Sequence, residues 1–327
     1  MPETASSVRR GRLPRSAVAF SVLLAVAGYV TVQYVAGDRP ARCVVRAAAT
    51  GDGPTYELST EMASNAATIS AVGTSRGLPE RAVTIALATA IQESSLLNIR
   101  HGDRDSLGLF QQRPSKGWGT PKQILDPVYS TEKFYDGLVA VPGYSRLPLT
   151  VAAQRVQRSG FPQAYAKHEP NATLLAAALT GRTDAALTCA PGQGSGSGDP
   201  AKVRAELLRA FGPEVAPKAM AQGAPGASGA AGGSEVSIPV PPALVASGGT
   251  GGKASQRGWE LAHWAVARAD GLRIEEVSYG GKVWRAEVAR ESGAGWRAGS
   301  APGRGEDGGA GKSAQTGQDE VRIRLAR

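Results

Sequence analysis

Cysteine and histidine are scarce in this chain: its 327 residues include two cysteines and three histidines. The histidines, His101, His168 and His263, are widely separated from one another and from Cys43 and Cys189. Zinc sites usually bring such ligands together in closely spaced pairs along the sequence. The pattern therefore indicates no metal site, and we expect no cofactor.

The sequence also lacks a nucleotide-binding loop and an excess of acidic residues. Gly251–Lys253 is similar to the end of a phosphate loop, but Ala254 stands where a serine or threonine would bind magnesium. Basic residues number 37 against 28 acidic ones, which gives a formal net charge of +9. This charge predicts acidic partners. It is interspersed along the chain and forms no nucleic-acid motif, so we expect no nucleic-acid partner.

Long hydrophobic runs are few, and one stands out near the N-terminus. Residues 17–36 contain no charged side chain, which is enough length to cross a bilayer. Arginines precede this run in residues 1–16, so the positive-inside rule predicts a cytoplasmic N-terminus, a single-pass anchor in the cell membrane and an extracytoplasmic remainder. A cleavable signal is the alternative, because Val35–Gly37 offers small residues, but the length favours a retained anchor.

The chain beyond the predicted anchor divides into four regions by composition. Residues 37–57 form a linker, and residues 58–189 carry apolar residues at helical spacing. Residues 190–255 are rich in Gly, Ala, Ser and Pro, which predicts a disordered linker. Residues 256–327 are patterned as a small α/β unit of unknown function with a Gly-rich disordered insert. In this unit, alternating residues on both sides of Gly280–Gly281 predict a hairpin, and Val321–Leu325 alternates like an edge strand. The predicted fold class is therefore mainly α.

One segment of the helical region carries a family-like pattern. Apolar residues from Pro79 to Ile91 predict a buried helix, and Glu93–Ser94 lies at its end. After a short gap comes Gly108–Gln111, with the sequence Gly-Leu-Phe-Gln. Together the two segments resemble the signature of the lysozyme-like lytic transglycosylases, the superfamily of soluble lytic transglycosylases and goose-type lysozymes. The resemblance covers about half of the chain.

The resemblance implies a lysozyme-like fold for residues 58–189 and cleavage of the peptidoglycan glycan strand between N-acetylmuramic acid and N-acetylglucosamine. Glu93 is the implied catalytic acid and base, at a buried helix end that disfavours the charged carboxylate. An ion pair with Arg100 or Arg104 is the alternative for Glu93. The expected substrate-binding residues are Ser94, which would orient Glu93, and Gly108, Leu109, Phe110, Gln111 and Trp118. Trp118 could equally be an ordinary packed aromatic. Anionic wall polymers are further expected partners.

Departures from the family pattern leave the reaction type open. Asp105–Ser106 replaces the usual Gly-Ala, Phe110 replaces Met, and a later Ala-Tyr-Asn-Ala-Gly-like segment is missing, although Tyr165 could supply an aromatic. A hydrolase needs a second carboxylate to activate water, whereas a lytic transglycosylase uses the muramyl hydroxyl. The candidates for this carboxylate are Asp103, Asp105 and Asp126, and we carry Asp105 forward. The alternative to an enzyme is a catalytically silent wall-binding or scaffold protein.

The two cysteines bracket the lysozyme-like region. Both lie beyond the predicted anchor, where export permits oxidation. A Cys43–Cys189 disulfide would close a long loop and stabilise the fold by about 4–5 kcal/mol in the chain-entropy model. We expect this disulfide, with two free thiols as the alternative.

Overall fold

The computed structural model describes residues 19–28, 41–47, 53–161, 163–215, 234–240, 252–299 and 320–327. The chain forms two compact units, residues 1–40 and residues 41–327.

In the first unit, residues 19–28 form a helix whose side chains are exposed. Within the described ranges, no helix is both long and apolar enough to cross a membrane. The predicted single-pass anchor at residues 17–36, with a cytoplasmic N-terminus and an extracytoplasmic remainder, is therefore wrong. Residues 1–18 and 29–36 lie outside the described residues.

The second unit contains a group of helices between residues 60 and 179. They are α1 (Thr60–Ser75), α2 (Glu80–Ser94), α3 (Pro121–Ile124), α4 (Pro127–Val139), α5 (Leu149–Gln157) and α6 (Glu169–Leu179). Short 3-10 helices lie at Pro114–Lys116 and Ala166–His168. Ser59 caps α1 by accepting a hydrogen bond from the amide of Met62. α2 is buried along most of its length because α1, α4, α5 and α6 all pack against it. Ser95, the residue that caps its C-terminal end, has a left-handed backbone with φ of 55°.

A three-stranded antiparallel sheet joins the two ends of this region. Its strands are β1 (Arg42–Arg46), β2 (Thr55–Ser59) and β3 (Leu187–Ala190), with β1 in the centre. Cys43 and Cys189 are paired in register across β1 and β3 and form a disulfide. The predicted disulfide is confirmed. Because β1 and β3 are both paired and cross-linked, the chain leaves the helices where it entered them.

A second antiparallel sheet has five strands in the order β4-β8-β5-β6-β7. They are β4 (Glu235–Pro239), β5 (Ile274–Tyr279), β6 (Lys282–Arg285), β7 (Arg297–Ala298) and β8 (Glu320–Leu325). The accompanying helices are α7 (Pro200–Phe211), α8 (Gly252–Ala267), α9 (Ala269–Leu272) and α10 (Ala286–Ser292), with a 3-10 helix at Pro213–Val215. The two antiparallel sheets contradict the predicted mainly α fold class. The sequence did not indicate them because strand pairing over long sequence separations leaves little local signal.

The prediction of a disordered linker over residues 190–255 is also wrong for its described parts. Overall composition hid the position of its few apolar residues. Val203, Leu207 and Phe211 fall at helical spacing and form the buried face of α7. Val236 and Ile238 alternate along β4 and are buried against the rest of the sheet. Residues 216–233 and 241–251 lie outside the described ranges.

Helix α8 connects the five-stranded sheet to the helices between residues 60 and 179. It packs against β5 on one side and against α1, α6 and β3 on others. His263 of α8 is fully buried; its Nδ1 donates to the Ala178 carbonyl at 2.7 Å, and its Nε2 accepts from the Ala186 amide at 3.1 Å. Glu260, also buried, pairs with Arg257 at 2.6 Å, and burial raises the pKa of Glu260. The described residues of the second unit therefore share one continuous core.

Candidate active site

Glu93 lies one residue before the end of α2 and lines a cleft with a volume of about 1060 Å³. The side chain is half-buried. Two other segments form the remaining walls: residues 103–118, and residues 155–161 at the end of α5 and just beyond it. Part of α4 and the residues that follow it, 137–141, complete the lining. A cleft of this size accommodates several sugar rings.

Ser94 connects the two halves of the sequence signature. Its hydroxyl donates to the carbonyl of Leu109 at 2.8 Å and to the carbonyl of Ala90, one turn back in α2, at 3.1 Å. The hydroxyl is buried, and both of its hydrogen bonds go to backbone carbonyls and neither to Glu93. Ser94 therefore fixes the Gly108–Gln111 segment against the end of α2, instead of orienting Glu93 through a direct bond.

Gly108 allows this segment to approach α3. Its backbone has φ of +75°, and a Cβ placed on it would lie 2.8 Å from the carbonyl oxygen of Ile124. Its amide donates to the carbonyl of Ile99 at 2.8 Å. A side chain at this position would be strained by the backbone and would also collide with α3. Gly108 is buried and shapes the turn without lining the cleft.

Leu109 and Phe110 belong to the core. Both are fully buried, and the Phe110 ring stacks on Phe134 of α4 with centroids 4.6 Å apart. Neither lines the cleft. Of the expected substrate-binding residues, the cleft brings Gln111 and Trp118 together with Glu93. The structure thus separates the signature into two surface positions and a buried support.

Tyr165 is the closest polar partner of Glu93. Its hydroxyl donates to Glu93 Oε1 at 2.6 Å, and its side chain is fully buried. Burial, followed by the hydrogen bond to Glu93, raises the pKa of Tyr165, so the phenol keeps its proton as the donor. The tyrosine lies just before α6 and is 72 residues from Glu93 in the sequence. The sequence marked Tyr165 as a substitute aromatic, but it contained no signal for this bond.

Both carboxylate oxygens of Asp105 accept hydrogen bonds from the loop that follows Gln112. Its Oδ1 accepts from Arg113 Nε at 2.8 Å and its Oδ2 accepts from the Ser115 amide at 2.8 Å. The Arg113 bond, with support from Ser115, holds the pKa of Asp105 well below its usual range. Asp105 does not line the cleft. Its bonds fix the 3-10 helix at Pro114–Lys116, beside the Trp118 wall.

The other two candidate carboxylates differ in position. Asp103 lines the cleft, but its side chain is exposed and lies 4.0 Å from Arg104. Asp126 caps α4 by accepting from the amide of Val128 at 3.0 Å, and it also pairs with Arg209 of α7. Asp126 does not line the cleft.

Sequence reasoning missed two glutamines in the cleft. Gln112 is buried; its Nε2 donates to the Ser130 carbonyl at 2.9 Å, while its Oε1 has no hydrogen-bond partner among the described residues. Gln157 of α5 donates to the Phe110 carbonyl at 2.7 Å. Both glutamines line the cleft. Neither Gln112 in its loop nor Gln157 on α5 has a periodic or compositional signal that could have indicated its position in the cleft.

The described parts of the chain contain no cluster of three or more His, Cys, Asp or Glu side chains suited to hold a metal ion. Comparison with known protein families finds no match for this chain, and comparison with curated proteins finds none either. The functional assignment must therefore be argued from the residues of the cleft.

Proposed function

We propose that this protein cleaves peptidoglycan glycan strands between N-acetylmuramic acid and N-acetylglucosamine, with Glu93 acting first as acid and then as base. The observation that carries the proposal is a half-buried carboxylate in a large cleft, held at 2.6 Å by a buried tyrosine hydroxyl. The Ser94 bond to Leu109 adds support, because it couples this carboxylate to the second half of the signature.

The contacts of Glu93 are compatible with proton transfer. Tyr165 bonds to Oε1, and Oε2 has no hydrogen-bond partner within the described ranges. In the proposed reaction Oε2 delivers the proton to the glycosidic oxygen, while Tyr165 keeps the carboxyl group from rotating. Trp118 and Gln111 line the same cleft, where they would contact sugar rings through stacking and amide hydrogen bonds.

Lytic transglycosylation is the reaction type that the carboxylates favour. Inverting hydrolysis requires a second carboxylate that is free to activate water across the cleft. Both oxygens of Asp105 are engaged by Arg113 and Ser115, and Asp103 is an exposed residue beside Arg104. With Glu93 as the single acid and base, the C6 hydroxyl of the muramyl unit attacks its own anomeric carbon. The product is a 1,6-anhydromuramyl end.

The test is digestion of purified peptidoglycan by the full chain, followed by mass spectrometry of the released glycan. We expect 1,6-anhydromuramyl ends, which are lighter by one water than hydrolytic ends. Glu93→Gln should abolish cleavage, because the amide keeps the shape but supplies no transferable proton. Glu132→Gln is the matched control, since Glu132 is an exposed residue of α4 outside the cleft and should retain activity.

Three results would change the proposal. Cleavage by Glu93→Gln at the wild-type rate would remove Glu93 from the mechanism. Hydrolytic ends that disappear in Asp105→Asn would make Asp105 a catalytic base after all. Glycan binding without any cleavage, in a protein shown to be folded, would favour the catalytically silent wall-binding protein.

A further inference from the structure

The cleft carries more positive charge than its acidic residues offset. Its acidic residues are Glu93 and Asp103, and its basic residues are Arg104, Arg113, Lys116, Arg155 and Arg158. Arg113 is bonded to Asp105, and Arg104 lies near Asp103. Lys116, Arg155 and Arg158 have no ion-pair partner among the described residues, and all three are exposed.

Several arginines on other surfaces of the same unit are paired with carboxylates. Arg76 pairs with Asp136 at 2.9 Å, and Arg182 pairs with Glu80 at 2.6 Å. In the cleft, Lys116, Arg155 and Arg158 instead occur together without such a partner among the described residues. A cluster of unpaired cations in a concave site raises the local concentration of anionic ligands and speeds their association.

The excess of positive over negative charge in the cleft is clearest at the C-terminal end of α5. Arg155 and Arg158 are three residues apart, and the helix with its following turn contains no Asp or Glu. Like charges at this spacing repel each other on a helix surface. Cations near a helix C-terminus do interact favourably with the helix dipole, so a structural role predicts an effect on stability alone. Because both arginines also line the Glu93 cleft, they can contact a ligand bound there in addition to interacting with the helix dipole.

Resting on the proposed glycan cleavage, we propose that this cleft selects muramyl units whose substituent carries a free carboxylate, with Lys116, Arg155 and Arg158 as the selecting cations. The substituent is attached to O3 of muramic acid, on the ring whose anomeric bond is cleaved. The lactyl carboxyl therefore lies close to the scissile bond, and a peptide stem attached to it extends outward from there across the cleft lining. Arginine is suited to this recognition because its guanidinium binds a carboxylate through two parallel hydrogen bonds.

The carboxylate has two chemical sources. In a glycan that carries peptides, the lactyl carboxyl is consumed in an amide bond and the free carboxylates belong to the peptide stem. In a glycan stripped of peptides, the lactyl carboxylate itself is free. A substrate panel distinguishes them: peptidoglycan with free stem carboxylates, the same material with those carboxylates converted to amides, and glycan from which an amidase has removed the stems.

The experiment compares kcat/KM of the full chain on these three substrates. We expect amidation of the stem carboxylates to lower kcat/KM about tenfold, at the upper end of what a few exposed charge pairs contribute. Arg155→Gln combined with Arg158→Gln should lower kcat/KM on the unmodified substrate by a similar factor and leave it unchanged on the amidated one. Retained activity on stripped glycan would identify the lactyl carboxylate as sufficient, and lost activity would identify the stem.

Lys122→Gln combined with Arg146→Gln is the matched control, because it removes two exposed cations that do not line the cleft. This variant should keep the preference for free carboxylates. Equal kcat/KM of the wild type on free and amidated substrates overturns the proposal. So does a preference that survives in the Arg155 and Arg158 variant, including the case in which that variant only loses thermal stability.

Binding separates this inference from the catalytic proposal. Co-sedimentation of Glu93→Gln with free and amidated peptidoglycan measures charge selection without turnover. Stronger binding to the free carboxylate form supports the inference even if the wild type cleaves nothing, whereas equal binding to both forms contradicts it.

Discussion

Replacement of His263 tests the interface between α8 and residues 58–189. The imidazole is fully buried, and its two nitrogens have opposite roles: Nδ1 donates to the Ala178 carbonyl and Nε2 accepts from the Ala186 amide. Protonation of Nε2 would place two donors against each other. Burial lowers the pKa of His263 from 6.5 to about 4, and the hydrogen bond to Ala178 opposes this shift only partly.

The magnitude follows from linkage between protonation and unfolding. Because the native pKa is below the unfolded one, the stabilisation is fully present above pH 6.5 and is lost as the pH falls towards 4. The two pKa values give a loss of about 2 kcal/mol by pH 5 and about 3 kcal/mol by pH 4. This is a large fraction of the unfolding free energy of an ordinary domain.

The assay is urea unfolding from pH 7.5 to 4, followed by tryptophan fluorescence, for the wild type and for His263→Gln. The glutamine variant should be less stable than the wild type at pH 7.5, because it repacks a buried site. The difference in unfolding free energy between the wild type and the variant should narrow by about 3 kcal/mol at pH 4, because the variant has no imidazole to protonate. His101→Gln is the control, since His101 is exposed. A gap that stays constant with pH would refute the assignment of a neutral, buried His263.

Three further predictions concern the site and its support. Tyr165→Phe should lower kcat about tenfold, because Glu93 loses the hydrogen bond that holds its carboxyl group. The control is Tyr135→Phe, which removes a buried bond to the Ile69 carbonyl and should lower stability without affecting activity. Equal losses of activity in the two variants would argue against the role of Tyr165. Gly108→Ala should destabilise the protein by about 2–3 kcal/mol in thermal unfolding, and Gly117→Ala by only about 1 kcal/mol, since both have positive φ but only Gly108 has a close backbone neighbour. Reduction of the disulfide, which closes a loop with a sequence separation of 146, should lower the unfolding free energy by up to about 5 kcal/mol; a melting temperature unchanged by reductant would contradict this.

Local sequence patterns predicted several elements well. The apolar run after Pro79 predicted a buried helix, and α2 occupies Glu80–Ser94. In the C-terminal region, alternating residues beside Gly280–Gly281 predicted a hairpin, and β5 and β6 form it. These elements are set by propensity and turn chemistry within a few residues, so a short window of sequence contains the information.

The same windows failed where the deciding contact is distant. Val321–Leu325 was patterned like an edge strand, but β8 lies inside its sheet, between β4 and β5. The hydrophobic run at residues 17–36 predicted a span on length and composition, but among the residues that the structure describes no helix is long and apolar enough to cross a membrane. Phe110 was expected in the cleft, and it packs on Phe134.

The sequence by itself determined the position of α2, the signature around Glu93 and the pairing of the only two cysteines, because helical spacing, a short motif and a count of two leave few alternatives. Only the tertiary structure decided which signature residues face the cleft, which carboxylate is engaged by Arg113, and which hydroxyl holds Glu93. The bond between Glu93 and Tyr165 spans 72 residues and depends on how α2 and α6 pack. Side-chain contacts of this kind are set by the fold as a whole, and no local pattern in the sequence encodes them.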